Sequence, residues 1–75
     1  MFKKSNIMHL PELILELKKR RVTLNVTQEQ LAEISGVGLR TLKQFESGKG
    51  NPTLQTLYKL AEALGLKLKL EVKEI

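Results

Sequence analysis

Apolar residues recur three and four positions apart from Leu10 to Leu64, and then alternate with charged ones from Leu66 to Val72. The first spacing is that of amphipathic helices and the second that of a half-buried strand. Leu10, Leu13, Ile14, Leu17 and Leu24 fall on one helical stripe. Pro11 suits the first turn, which does not need its N–H, and Asn25 can close the helix in a left-handed conformation. In VTQEQLAEISG, Thr27 is the N-cap, Gln30 completes a capping box, and Val26 can pack back as a staple. Leu31, Ala32 and Ile34 are expected to face inward, and Gly36 to stop this helix. VGLRTLKQFESGKG gives a further short helix with Leu42 and Phe45 inward and Gly48 past its end. NPTLQTLYKLAEALG gives the last, capped by Thr53, with Leu54, Leu57, Leu60, Ala61 and Leu64 as its stripe and Gly65 as its stop. GLKLKLEVKEI then sets Leu66, Leu68, Leu70 and Val72 on one side and Lys67, Lys69, Glu71 and Lys73 on the other. The pattern predicts an all-α, four-helix domain over residues 10–65, a β-strand in residues 66–75, and a loose extension over residues 1–9.

Size and composition narrow the function. A chain of 75 residues without cysteine holds one small domain, near the lower limit for a self-sufficient core. Such chains often recruit a partner subunit. The longest apolar run is Leu13, Ile14 and Leu15, too short for a membrane span, and the N-terminal stretch lacks the apolar segment of a secretory signal. The expected location is therefore the cytoplasm. Net charge is +5, which suits a polyanionic partner, and it is segmented. Residues 1–25 carry six Lys and Arg against two Glu; residues 37–50 carry Arg40, Lys43 and Lys49 against Glu46; residues 26–36 hold only Glu29 and Glu33. An enzyme is poorly supported: there is no thiol, one histidine (His9, in an irregular stretch) and no glycine-rich phosphate cradle. Nothing resembles a metal cage, and no cofactor is implied.

The informative window runs from Gln28 to Glu46. Two short helices meet at Gly36, with small Ala32 four residues before it and Leu42 and Phe45 six and nine residues after it. Steeply crossing helices need a small residue at their contact, a turn residue tolerant of positive φ, and apolar anchors on the second helix. At about 100° per residue, Arg40, Lys43, Gln44 and Ser47 share the face opposite Leu42 and Phe45, with Leu39 on its flank. Arg and Lys can donate to guanine N7 and O6, Gln can bond adenine, and Leu can touch a thymine methyl. The same residues would also make an ordinary solvated helix face.

These pieces together (VTQEQLA, SGV, TLKQFESGKGNP and LAEALGL, in order from about Leu10 to Gly65) resemble the phage-repressor-like, Xre/Cro-type helix-turn-helix family. The resemblance implies a sequence-specific regulator of transcription that binds double-stranded DNA. It gives Leu39, Arg40, Lys43 and Gln44 the reading of bases. Thr27 and Gln28, at a helix N-terminus that favours anions, and Ser47, Lys49 and Asn51, in the loop after the reading helix, become phosphate contacts. Arg21 sits in phase with an apolar stripe and must find a partner or turn outward. The family pairs such an arginine with the glutamate matching Glu46, which would tie the first helix to the reading helix. Gly38 departs from the many relatives with Ser or Thr at this N-cap, so a hydroxyl contact to DNA is missing here. The chain also looks like HipB-type antitoxins, which repress their own operon as dimers and hold a HipA-like kinase toxin. A protein-interaction module that restrains such a partner is the competing function.

A strand following four helices needs somewhere to pair. Within the chain the candidate is the poorly patterned stretch from Phe2 to Met8. The better solution is the same strand of a second subunit, paired antiparallel about a two-fold axis to form a homodimer, burying Leu66, Leu68, Leu70 and Val72. Two reading helices would then face a palindromic operator.

Overall fold

The computed structural model describes residues 9–69 and Val72. Among them are four helices: α1 (Leu10–Thr23), α2 (Gln28–Ser35), α3 (Leu39–Glu46) and α4 (Leu54–Ala63). Helices α2 and α3 pack on one another, α4 packs on α2, and α1 closes the bundle against α3. Local chemistry sets these boundaries. Thr27 Oγ1 accepts from the Gln30 N–H at 3.0 Å while Gln30 Oε1 accepts from the Thr27 N–H at 2.9 Å, completing the capping box. Thr53 Oγ1 accepts from the Thr56 N–H at 3.0 Å and starts α4.

Helix α1 is stopped two residues past Thr23 by Asn25, whose φ of 58° is left-handed. There the Val26 N–H reaches back to the Arg21 carbonyl and the Asn25 N–H to that of Val22, the double bond pattern of a Schellman stop. Helices α3 and α4 stop the same way, through Lys49 to Gln44 and Leu66 to Ala61.

The core is built from Ile14 and Leu17 of α1, Leu31 of α2, Leu42 and Phe45 of α3, and Leu60, Ala61 and Leu64 near the end of α4. Leu42 and Leu60 have no solvent exposure. Val37, in the turn between α2 and α3, is buried with them, although no helical stripe pointed to it.

Four positions on the expected apolar stripes face water. Ile34 is 64% exposed because α2 buries the arc of Leu31, Ala32 and Ser35, and Ile34 lies about 110° from the middle of that arc. Leu54 is 74% exposed at the first position of α4, ahead of the turns that meet α2. Leu10 and Leu24 stand at the two ends of α1, where neighbouring helices cover them only in part.

After Gly65 the chain runs over the core. Leu66 is half-buried against it, and residues 66–69 have no regular secondary structure in the single chain. Val72 is 96% exposed. Leu70, the Phe2–Met8 stretch and all but His9 of the N-terminal extension lie outside the described residues.

Candidate nucleic-acid interface

Helix α3 divides cleanly into two faces. Leu42, Phe45 and Glu46 are buried, Leu39 is half-buried, and Arg40, Thr41, Lys43 and Gln44 stand in solvent. The turn that presents this helix is set by Gly36, at φ 76°, whose N–H donates to the Ala32 carbonyl at 3.0 Å. A side chain there would be strained although no atom lies close to it. Val37 then anchors the turn in the core, and its N–H donates to Ser35 Oγ at 3.1 Å. Gly38 caps α3 without a side chain; its carbonyl accepts from the Leu42 N–H at 2.9 Å.

Helix α3 is also held from beneath. Arg21 Nε donates to Glu46 Oε2 at 2.6 Å and Arg21 Nη2 to Glu46 Oε1 at 2.9 Å, a two-pronged pair whose side chains are 12% and 4% exposed. Arg21 Nη1 donates to the Val26 carbonyl at 2.8 Å, in the loop between α1 and α2. Gln28 Nε2 completes the network with a bond to Glu46 Oε1 at 2.9 Å. One carboxylate thus joins α1, α2 and α3. It also removes the acid of α3 from the outer surface: Arg40 and Lys43 have no carboxylate partner among the described residues. The face they share is therefore net positive.

The structure assigns different chemistry to the expected phosphate residues. Thr27 Oγ1 accepts a bond within its cap, so its hydroxyl proton remains available to an anion. Gln28 is half-buried and spends one amide proton on Glu46, leaving one. Ser47 Oγ donates to the Gln44 carbonyl at 2.9 Å, so its single proton is already used. Lys49 and Asn51 are exposed and join Thr41, Gln44, Phe45, Gly50 and Pro52 around a shallow hollow of about 60 Å³ beside α3. Sequence reasoning passed over Thr41. Its signal was available, since it precedes the buried Leu42 by one position and so flanks the outward face.

The helix-turn-helix family profile (HTH_3) matches residues 17–70. The chain belongs to the helix-turn-helix family. Its relatives include transcriptional regulators of similar extent. An uncharacterized HTH-type transcriptional regulator of Archaeoglobus fulgidus is 40% identical over 52 residues, covering 69% of this chain and 73% of the relative. The cryptic phage CTXphi transcriptional repressor RstR of Vibrio cholerae is also 40% identical over 52 residues, 69% of this chain. That alignment spans 46% of RstR, a longer protein. A solved complex of a HipB variant with a 20mer designated O2 superposes with a TM-score of 0.79 at 30% identity, covering 99% of this chain and all of that one. The helix-turn-helix in this chain is α2, the Gly36–Gly38 turn and α3, and no helix among the described residues is long and apolar enough to cross a membrane.

Proposed function

We propose that this chain is a sequence-specific DNA-binding regulator of transcription, acting as a repressor from a palindromic operator to which it binds as a homodimer. The observation that carries the reading is the outward face of α3, where Arg40, Lys43 and Gln44 project from a helix locked from behind by Arg21 and Glu46. A B-DNA major groove, about 12 Å wide, admits such a helix. Arg40 and Lys43 donate to guanine, Gln44 bonds adenine, and Leu39 meets a thymine methyl. Thr27, Gln28, Lys49 and Asn51 hold the phosphates on either side, and Ser47 contributes where its hydroxyl turns away from Gln44. Dimerisation runs through the tail, with Leu66, Leu68, Leu70 and Val72 paired against the same residues of a second copy. The family membership and the repressor RstR among the relatives support this reading.

Gel-shift titration against the DNA upstream of the protein's own reading frame tests it. Affinity should be site-selective and fall with salt by about 0.9 log units per decade for each phosphate contacted. Arg40→Ala should relax discrimination at one base pair of each half-site by roughly 1–3 kcal/mol. Loss of affinity that is uniform across sequences would make Arg40 a phosphate contact, and sequence-indifferent binding by the unaltered protein would defeat the regulator reading.

The superposition on HipB over nearly the whole chain favours a second reading, an antitoxin that also restrains a HipA-like kinase. It requires such a kinase in the neighbouring reading frame and a stable complex between the two on co-purification.

A further inference from the structure

Arg20 and Arg21 are neighbours with separate tasks. Arg21 engages the reading helix, whereas Arg20 reaches the other way, to the end of α4. Its Nε donates to the Leu64 carbonyl at 3.0 Å, across 44 positions of sequence. Carbonyls at a helix C-terminus lack intrahelical partners and carry partial negative charge, so a guanidinium is a fitting donor there. The bond falls where the tail departs. Gly65 is left-handed, at φ 73°, and the Leu66 N–H returns to the Ala61 carbonyl at 2.8 Å. A Cβ on Gly65 would stand 3.5 Å from Arg20 Nη2, so the guanidinium lies directly over the exit. Beyond it, Leu66 and Leu68 run beside α1, and with Leu13, Leu17, Arg20 and Ala61 they border a groove of about 450 Å³.

We infer that Arg20 is a positioning residue that fixes the direction in which the C-terminal segment leaves the domain, and thereby the separation of the two reading helices in the dimer. The inference rests on the proposed dimerisation through residues 66–75. Two successive anchors, the Leu66 backbone bond and the Arg20 bond to Leu64, hold the departure. The first is local to α4. The second refers the tail to α1, and α1 is tied to the reading helix through Arg21 and Glu46. The tail's angle is therefore set relative to α3 and not only to α4. In a two-fold dimer any change in that angle is doubled in the relation between the two reading helices.

The test uses the full chain with Arg20→Met, which keeps the apolar stem along the groove and removes the donors, and Arg20→Lys, which keeps a charge and a donor. Each is measured by sedimentation equilibrium and by gel shift on palindromes built from the selected half-site, with half-site separation varied in steps of one base pair. The unaltered protein should prefer one separation. Arg20→Met should keep helical content and half-site sequence preference, but lose about tenfold or more in its preference between the best separation and its neighbours, because the dimer loses two charge-assisted bonds, one from each protomer. Arg20→Lys should recover part of it. An unchanged separation preference in Arg20→Met, even with a lowered melting temperature, would overturn the positioning role and leave the dimer reading intact. A monomeric unaltered protein, or one indifferent to separation, would overturn both.

Discussion

Replacing Glu46 by alanine tests whether α3, the proposed reading helix, is held in place by the buried network. The substitution removes the acceptors of three hydrogen bonds, two from Arg21 and one from Gln28, and strands a guanidinium that is 12% exposed. Breaking a buried ion pair from one side costs about 3–5 kcal/mol. A domain of this length has a total stability of only about 4–11 kcal/mol, at 0.05–0.15 kcal/mol per residue. The loss is therefore a large share of the whole. Urea unfolding followed by far-ultraviolet circular dichroism measures it, with protein concentration held fixed because the stability of the proposed dimer would depend on it. With a slope of about 1 kcal/mol per molar urea, the midpoint should fall by about 3 M or more. DNA binding should weaken in parallel under conditions where the variant is still folded, because Glu46 orients α3 without facing the groove. The double change of Arg21→Met with Glu46→Leu should recover much of the stability, since an apolar pair of similar size removes the stranded charge. A loss below about 1 kcal/mol for Glu46→Ala, the scale of a surface ion pair, would refute the reasoning.

Other positions give independent checks. Gly36→Ala should cost about 1–2 kcal/mol in the same unfolding assay, because the turn requires φ 76° and a Cβ is strained there even with open space around it. Gly38→Ser should stabilise α3 by a few tenths of a kcal/mol. The backbone is already extended at this cap, and a Cβ would meet only Thr41 Oγ1 at 3.9 Å, so a lower melting temperature would show that the turn is less accommodating than its geometry indicates. Removing residues 66–75 should yield monomers that bind DNA weakly, measured by sedimentation and gel shift, and a stable dimer after truncation would refute the tail seam.

The helices were legible in the sequence because each boundary has a local chemical cause: Thr27 with Gln30, Thr53, Asn25, Gly36 and Gly65 act on their own neighbours. The inner stripes were legible where a helix is long enough to be covered along its length. Leu54, Leu10 and Leu24 were misread because helical phase does not reveal where a neighbouring helix ends, and Ile34 because it lies off the arc of α2 that is covered. Val37 escaped notice because a turn residue has no periodicity to betray its burial. At the candidate site, the sorting of α3 into buried and exposed faces follows from phase alone. The engagement of Gln28 with Glu46, the use of the Ser47 proton by Gln44, and the reach of Arg20 to Leu64 did not. Each depends on how separate elements, or a helix and its cap, meet in space. The alternation of the tail was plain, yet residues 66–69 carry no regular structure, and the strand and its pairing belong to the proposed dimer.

Selection of bound fragments from a pool of random duplex DNA tests the central claim most directly, because one sequencing result reports both specificity and symmetry. A two-fold dimer presenting α3 to successive major grooves predicts an inverted repeat, with half-site centres about 34–36 Å apart or a multiple of that. It further predicts that Arg40→Ala relaxes one symmetric pair of positions and leaves the spacing unchanged. Enrichment of a single asymmetric half-site, or of no sequence, would contradict it.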